Sequence, residues 1–137
     1  RLYLIALSEG VERIFWFNLR SSERNPYNRD DFLGLVHADF TPKPSFLAYK
    51  TLREQLPPGS SRPELSSRES TYIARWIRPD RQPVFAVWSL APMPPKLKIS
   101  GRVSSVTNHL GESVRPSPIV PGSGILFIRG ADQISFQ

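Results

Sequence analysis

The stretch YIARWIRPDRQPVFAVWSL, residues 72–90, contains two apolar runs joined by a short polar segment. Both runs are rich in aromatic and β-branched residues, which favour extended backbone. The connecting residues 79–83, PDRQP, have the composition of a tight turn, because proline restricts the backbone and aspartate hydrogen-bonds within its own turn. Residues 72–90 therefore predict a β-hairpin.

Further strand patterns follow this hairpin. Four short strands are expected at residues 97–99, 102–107, 113–115 and 124–128. Short strands at this spacing predict a small antiparallel β-sandwich over residues 71–137. The preceding segment, residues 57–70, is rich in Pro, Ser and Gly and has the composition of a linker.

The N-terminal residues have a different pattern. Residues 1–9, RLYLIALSE, are apolar nearly all round and stop at Gly10, so they predict a helix that needs burial on more than one side. No capping residue precedes this helix. A missing cap is typical of a helix whose first turn has been cut off, so we expect the chain to be part of a longer one. The apolar run Ile14 to Leu19 predicts a strand covered on both faces, as in a parallel sheet.

A second helix is predicted after a long polar loop, residues 20–31. Its prolines at 42 and 44 suit a first turn, because the amides there have no helical partner. Leu52 and Leu56 lie on one face at helical spacing, and PPG at residues 57–59 ends the helix. Helix, buried strand and helix together predict an α/β unit over residues 1–56.

Three groups of residues together resemble the end of a clan A glycoside hydrolase, most closely the β-xylosidase and α-L-iduronidase-like barrel enzymes. Gly10 with IFWF at 14–17 resembles the last barrel strand. The closing loop and last barrel helix of these enzymes are similar to FLGLV at 32–36, Asp39 and PKPSFLAY at 42–49. VFAVWS at residues 84–89 resembles the β-sandwich that packs against such barrels.

The resemblance implies a fold of α/β plus all-β class. Residues 1–56 would be a helix–strand–helix fragment of a TIM barrel, 57–70 a linker, and 71–137 an accessory sandwich. Retaining enzymes of this kind use two carboxylates about 5–5.5 Å apart, and the sugar binds at the C-terminal face of the barrel. The family carries both carboxylates on earlier strands, so we expect no catalytic residue here and an inactive isolated chain.

The same resemblance implies a substrate site at the end of the predicted strand. Trp16 would form a platform under the sugar, since pyranose C–H groups pack on an aromatic face. Phe17 and Asn18 stand where the family often has Tyr followed by Asp or Glu, which leaves Asn18 as the polar group. An alternative interpretation places Trp16 in the barrel core.

Composition and charge argue against several other functions. The 137 residues contain no Cys, which removes disulfides, thiolate metal ligands and a Cys nucleophile. The net charge is +6, but the arginines are spread singly, which predicts a solvated basic surface and no nucleic-acid partner. No apolar run approaches the roughly 18–20 residues that span a membrane. His37 and Asp39 are too few ligands for a metal, and no cofactor is expected.

The resemblance also implies partners and a location. The partners would be a carbohydrate substrate and the upstream polypeptide of the barrel. An extracellular or periplasmic location follows from the same resemblance.

Two other interpretations stay open. A non-catalytic carbohydrate-binding module requires Trp76 or Trp88 to be exposed on a flat face. A structural or interaction domain requires residues 1–56 to close a core of their own. The barrel interpretation instead leaves a strand edge bare, so it predicts that Ile14–Phe17 are exposed and that the isolated chain tends to aggregate.

Overall fold

The computed structural model describes residues 1–116 and 118–137. In this part of the chain, two α-helices and a single 3₁₀ turn, Arg29–Phe32, accompany six strands. The helices are α1 (Leu2–Ser8) and α2 (Pro44–Gln55). The strands are β1 (Glu64–Arg68), β2 (Thr71–Ile77), β3 (Pro83–Ser89), β4 (Leu97–Asn108), β5 (Ser113–Val114) and β6 (Leu126–Phe136).

The predicted hairpin is confirmed and forms the centre of the fold. Strands β2 and β3 pair in antiparallel register with Tyr72 opposite Trp88. In the turn, Asp80 Oδ1 accepts a hydrogen bond from the backbone N–H of Gln82 at 3.1 Å, as expected of a turn aspartate. The sheet order is β1-β2-β3-β6-β4-β5, and every pair is antiparallel.

The strands form one continuous sheet where two were expected. The short strands predicted at 97–99 and 102–107 are joined as β4, which pairs with β6 along most of its length. The register shifts at Gly101, and both Gly101 and Gly130 have φ of +84°. A Cβ on Gly130 would lie 2.5 Å from the carbonyl oxygen of Arg102, so glycine is required where the strands approach this closely.

Each face of the sheet carries a hydrophobic cluster. On one face, buried Trp76, Trp88 and Phe127 pack with Leu4 of α1, and Leu52 of α2 lies against them. The other face buries a second cluster, which comprises Ile73, Phe85, Val87, Val106, Ile128, Ala131 and Ile134. The two helices thus complete the core of the sheet, and residues 1–56 do not close a separate core.

The segment predicted to be a linker contributes to the sheet. Residues 57–70 include β1, which pairs with β2 at the edge of the sheet. Four of the five β1 residues are exposed, and an edge strand of this kind is held mainly by its backbone hydrogen bonds. Linker-like composition therefore did not exclude a strand here.

The strand predicted over Ile14–Leu19 is not formed, and a single bridge at Arg20 follows it. Residues 11–19 lie in no helix or strand, and an isolated parallel bridge joins Arg20 to Val36. The carbonyl of Leu19 accepts from Val36 N–H, and Ser21 N–H donates to the carbonyl of Val36, both at 3.0 Å. A parallel strand needs neighbours on its edges, and within residues 1–116 and 118–137 only the short segment at Val36 lies beside these residues.

The end of α2 is attached to the sheet, and the end of α1 is attached to the segment just before β1. The indole Nε1 of Trp76 donates to the carbonyl of Gln55 at 2.9 Å, and Arg78 Nη1 donates to the carbonyl of Glu54 at 2.6 Å. Arg62 Nε donates to the carbonyl of Ser8 at 3.0 Å. Arginines at these positions satisfy free carbonyls and complement the negative end of each helix.

Candidate functional site

The aromatic side chains of residues 15–17 project from the surface. Phe15 is 87% exposed, Trp16 42% and Phe17 70%, while Ile14 is half-buried. We call Phe15, Trp16 and Phe17 the aromatic ridge. Its exposure agrees with the expectation for a strand without neighbours. Adjacent exposed aromatic side chains are uncommon on the surface of a monomer and mark a site of interaction.

Trp16 is the member of the ridge with a fixed orientation. Its indole Nε1 donates a hydrogen bond to the carbonyl of Leu33 at 3.0 Å. Leu33 belongs to the FLGLV segment that the resemblance singles out as a closing loop. The ring is thus attached to this loop by its polar edge while 42% of its surface stays exposed, and an exposed indole can stack on a flat apolar ligand surface.

Phe17 and Asn18 differ from each other in their surroundings. Phe17 extends into solvent, whereas the side-chain Oδ1 of Asn18 is buried and has no hydrogen-bond partner among the described residues. The backbone carbonyl of Asn18 accepts from Leu35 N–H at 3.2 Å. Of the three predicted site residues, Trp16 and Phe17 therefore share the exposed surface, and the Asn18 amide oxygen points into the protein.

The side chains of Lys43, Trp16 and Ser21 bind three consecutive residues of the closing loop, Phe32 to Gly34. Lys43 Nζ donates to the carbonyl of Phe32 at 3.0 Å, next to the Leu33 carbonyl that Trp16 binds. Ser21 Oγ accepts from Gly34 N–H at 3.1 Å and from Lys43 Nζ at 2.5 Å. A Cβ on Gly34 would lie 2.2 Å from Ser21 N, so a larger residue does not fit. Trp16 of the IFWF segment and Lys43 of the PKPSFLAY segment thus both bind the FLGLV loop.

Glu23 lies beside this loop with two polar side-chain partners, His37 and Lys43. Glu23 Oε1 is 2.7 Å from His37 Nδ1 and 3.4 Å from Lys43 Nζ, and Glu23 Oε2 accepts from Ala38 N–H at 3.4 Å. The hydrogen bond from His37 is the largest cause that lowers the pKa of Glu23, followed in the same direction by those from Ala38 and Lys43. Glu23 is therefore held ionised as a partner for its neighbours.

Sequence reasoning did not single out Ser21 or Glu23. Serine is abundant in this chain, and no local pattern marks Ser21 as fully buried. Lys43 lies in the quoted PKP motif, but its partners are distant along the chain. Because Ser21 is inaccessible and already bonded twice, the Ser21–Lys43 pair orders the loop and is not arranged as an exposed nucleophile with its base.

The other acidic residues of this region serve local turns. Asp39 Oδ1 accepts from Thr41 Oγ1 at 2.6 Å and from Thr41 N–H at 2.9 Å, and the Thr41 hydroxyl is the main cause that lowers the pKa of Asp39. Asp31 Oδ2 accepts from Asn25 N–H at 2.9 Å, which is the main cause of its lowered pKa. Among the described residues, no group of three or more His, Asp or Glu is placed to hold a metal ion.

The two tryptophans of the hairpin are buried. Trp76 and Trp88 have no accessible surface, and Trp88 stacks on Tyr72 with ring centroids 5.1 Å apart. A carbohydrate-binding face built on Trp76 or Trp88 is therefore contradicted, because both rings form the core between the sheet and the helices.

No family model matches the chain, and a search of curated proteins finds no match. In the part of the chain that the structure covers, neither helix has the length and apolar character needed to cross a membrane.

Proposed function

We propose that this chain is the C-terminal part of a retaining glycoside hydrolase that cleaves O-glycosidic bonds of a polysaccharide or oligosaccharide. In this proposal residues 1–56 are the end of a (β/α)8 barrel, and the antiparallel sheet supports it from outside. The observation that carries the proposal is the aromatic ridge. It precedes a parallel bridge between Arg20 and Val36, and its own backbone has no strand partner among the described residues.

The backbone of residues 14–17 supports the proposal that parallel strands precede this segment in the longer chain. Backbone N–H and C=O groups in residues 14–17 need partners, and apolar side chains on both sides of a strand need cover. Strands of the same chain, upstream in sequence, would supply both. The parallel direction of the Arg20–Val36 bridge is the direction that barrel strands require.

Trp16 is the residue we assign to sugar binding. Its hydrogen bond to Leu33 ties the ring to the loop that follows the strand, and in barrel enzymes such loops surround the substrate. Phe17 and Asn18 would lie beside it. The two carboxylates would come from the upstream polypeptide, so this chain would contribute the platform and the last barrel strand without the acid and the nucleophile.

Two observations weigh against the competing interpretations. Trp76 and Trp88 are buried, which removes the flat aromatic face that a binding module needs. Leu4, Leu52 and Leu56 pack on the sheet, so residues 1–56 have no closed core of their own.

The test uses the complete product of the encoding gene. We expect upstream strand–helix units with a Glu at the end of two strands, and hydrolysis of 4-nitrophenyl glycosides from a panel of sugars. Trp16→Ala would lower kcat/KM roughly tenfold or more through lost stacking, and Trp16→Phe less. Phe40→Ala removes an exposed aromatic outside the ridge and would leave kcat/KM unchanged. A gene product without such units, or without hydrolysis of any glycoside, would overturn the proposal.

A further inference from the structure

Lys43 lies at the start of α2 and contacts the closing loop through both its backbone and its side chain. Its backbone N–H donates to the carbonyl of Leu35 at 3.1 Å, and its Nζ donates to the carbonyl of Phe32 at 3.0 Å. The carbonyl of Leu33, which accepts from Trp16 Nε1 at 3.0 Å, lies between these two attachment points along the chain. Lys43 therefore holds the loop on either side of the group to which the Trp16 indole is bound.

The Lys43 ammonium has an acceptor for each of its three N–H groups. Besides the Phe32 carbonyl, it donates to Ser21 Oγ at 2.5 Å and lies 3.4 Å from Glu23 Oε1. The Lys43 side chain is only 13% exposed, so these partners replace most of the water that an ammonium group otherwise keeps. A lysine buried with its full set of partners has a defined position, because leaving it would strand a charge with too few hydrogen bonds.

The Trp16 ring has space on the side that faces the protein. A cavity of about 260 Å³ has Trp16, Leu35 and Tyr49 among its lining residues, and 42% of Trp16 is exposed to solvent. A ring between a cavity and solvent is held by packing less firmly than a ring in a close-packed core. The hydrogen bond to Leu33 therefore has a large share in setting the orientation of the ring, and that orientation depends on where the Leu33 carbonyl lies.

We propose that Lys43 is the positioning residue of the Trp16 platform: it holds the closing loop so that the Leu33 carbonyl keeps the indole in the orientation that stacks on the sugar. Its role toward a sugar rests on the proposed function, whereas its effect on the ring is a property of this chain alone. Lys43 contacts no substrate in this arrangement and acts through Trp16. A displaced platform lowers turnover, because the geometry of reaction tolerates little misplacement of the bound sugar.

Fluorine NMR of the 137-residue chain labelled with 5-fluorotryptophan tests the effect on the ring. The three tryptophans give three signals, and the signal that Trp16→Phe removes belongs to Trp16. Lys43→Met keeps an unbranched side chain and removes the three donors of the ammonium. We expect the Trp16 signal to move toward that of free 5-fluorotryptophan, while the signals of the buried Trp76 and Trp88 stay in place. Lys43→Gln keeps an amide donor on a shorter side chain and should move the Trp16 signal less, in the same direction. Lys50→Met, at an exposed position of α2, should move none of the three.

Kinetics of the complete gene product test whether Lys43 acts through the platform. Lys43→Met is expected to lower kcat/KM roughly threefold or more. The same substitution should have little further effect once Trp16→Ala has removed the ring, because a positioning residue acts only through the group that it positions. Lys50→Met is again the control and should leave kcat/KM unchanged.

Two results would overturn the positioning role of Lys43. One is a Trp16 signal that keeps its parent position in both Lys43 variants, or that moves no further than the signals of Trp76 and Trp88. The other is an unchanged kcat/KM in Lys43→Met, or the same fold loss with and without the Trp16 ring. A parent gene product that hydrolyses no glycoside would instead overturn the proposed function, and the fluorine signals would still decide whether Lys43 orients Trp16.

Discussion

The indole of Trp76 and the backbone carbonyl of Gln55 join the sheet to the last residue of α2 through a 2.9 Å hydrogen bond. Trp88, which lies opposite Tyr72 on the partner strand β3, is equally buried, but its Nε1 has no hydrogen-bond partner among the described residues. The two tryptophans therefore offer a matched pair in which one has a polar role and the other has none.

Trp76→Phe is expected to destabilise the protein more than Trp88→Phe. Both changes remove part of a buried ring, but only the first removes the donor to Gln55, a difference of about 1 kcal/mol. Urea unfolding of the two variants beside the parent chain measures it. Equal losses of unfolding free energy would show that the Trp76 hydrogen bond contributes nothing.

Gly130→Ala is expected to cost about 1–3 kcal/mol of unfolding free energy. A Cβ there meets the Arg102 carbonyl oxygen at 2.5 Å, and the φ of +84° is unfavourable for alanine. Gly122→Ala is the control, because its Cβ has nothing within 4 Å, and a change within about 0.5 kcal/mol is expected. Similar thermal unfolding of both variants would contradict the close strand approach assigned to Gly130.

Ser21→Ala is expected to loosen the closing loop. The substitution leaves Gly34 N–H and Lys43 Nζ without their shared acceptor in a buried place, at a cost of about 1–3 kcal/mol. Faster hydrogen exchange at Gly34 N–H would report the loosening. Ser67→Ala, at an exposed position of β1, should leave that exchange rate unchanged. Slow exchange retained in Ser21→Ala would mean that other contacts hold the loop.

Stability is expected to fall in acid through Glu23. Its pKa is lowered in the folded chain, chiefly by the hydrogen bond from His37, so the unfolded chain binds its proton first as the pH falls. The stability that ionised Glu23 contributes is fully present above the ordinary glutamate pKa of about 4.3. It is lost as the pH drops through the lower pKa of Glu23 in the folded chain. Glu23→Gln should flatten this part of the Tm–pH curve.

Glu64→Gln provides the comparison for that titration. The Glu64 carboxylate lies 3.9 Å from Arg75 on a side chain that is mostly exposed, so we expect a Tm–pH curve close to that of the parent chain. An acid-induced loss of stability of the same size in Glu23→Gln and in the parent chain would contradict the role assigned to Glu23.

Replacing two ridge residues is expected to improve solubility. Phe15→Ser with Phe17→Ser removes two exposed rings that contribute little to the core, so light scattering at a fixed concentration should fall while Tm changes little. Met93→Ser, at another exposed apolar position, should have a smaller effect. Unchanged scattering in the double variant would show that the ridge does not drive association.

The sequence identified several elements without help from the tertiary structure. Aromatic and β-branched composition with turn chemistry predicted the 72–90 hairpin, and apolar periodicity with proline and glycine predicted both helices, because these signals are local. The candidate site was predicted in part. Exposure of Trp16 and Phe17 followed from the missing neighbours of residues 14–17, whereas their proposed contact with sugar comes from resemblance.

Long-range contacts decided the rest. Strand patterns do not specify their partners, so β4 and β6 could have belonged to separate sheets, and the Ser-rich β1 looked like a linker. Nothing within a few residues of Ser21 indicates that it meets Gly34 and Lys43. The sequence by itself determined which segments are extended and which are helical, since backbone preference and periodicity act over a few residues. Only the tertiary structure decided which polar groups meet, because a buried hydrogen bond forms between residues that the chain path brings together from far apart.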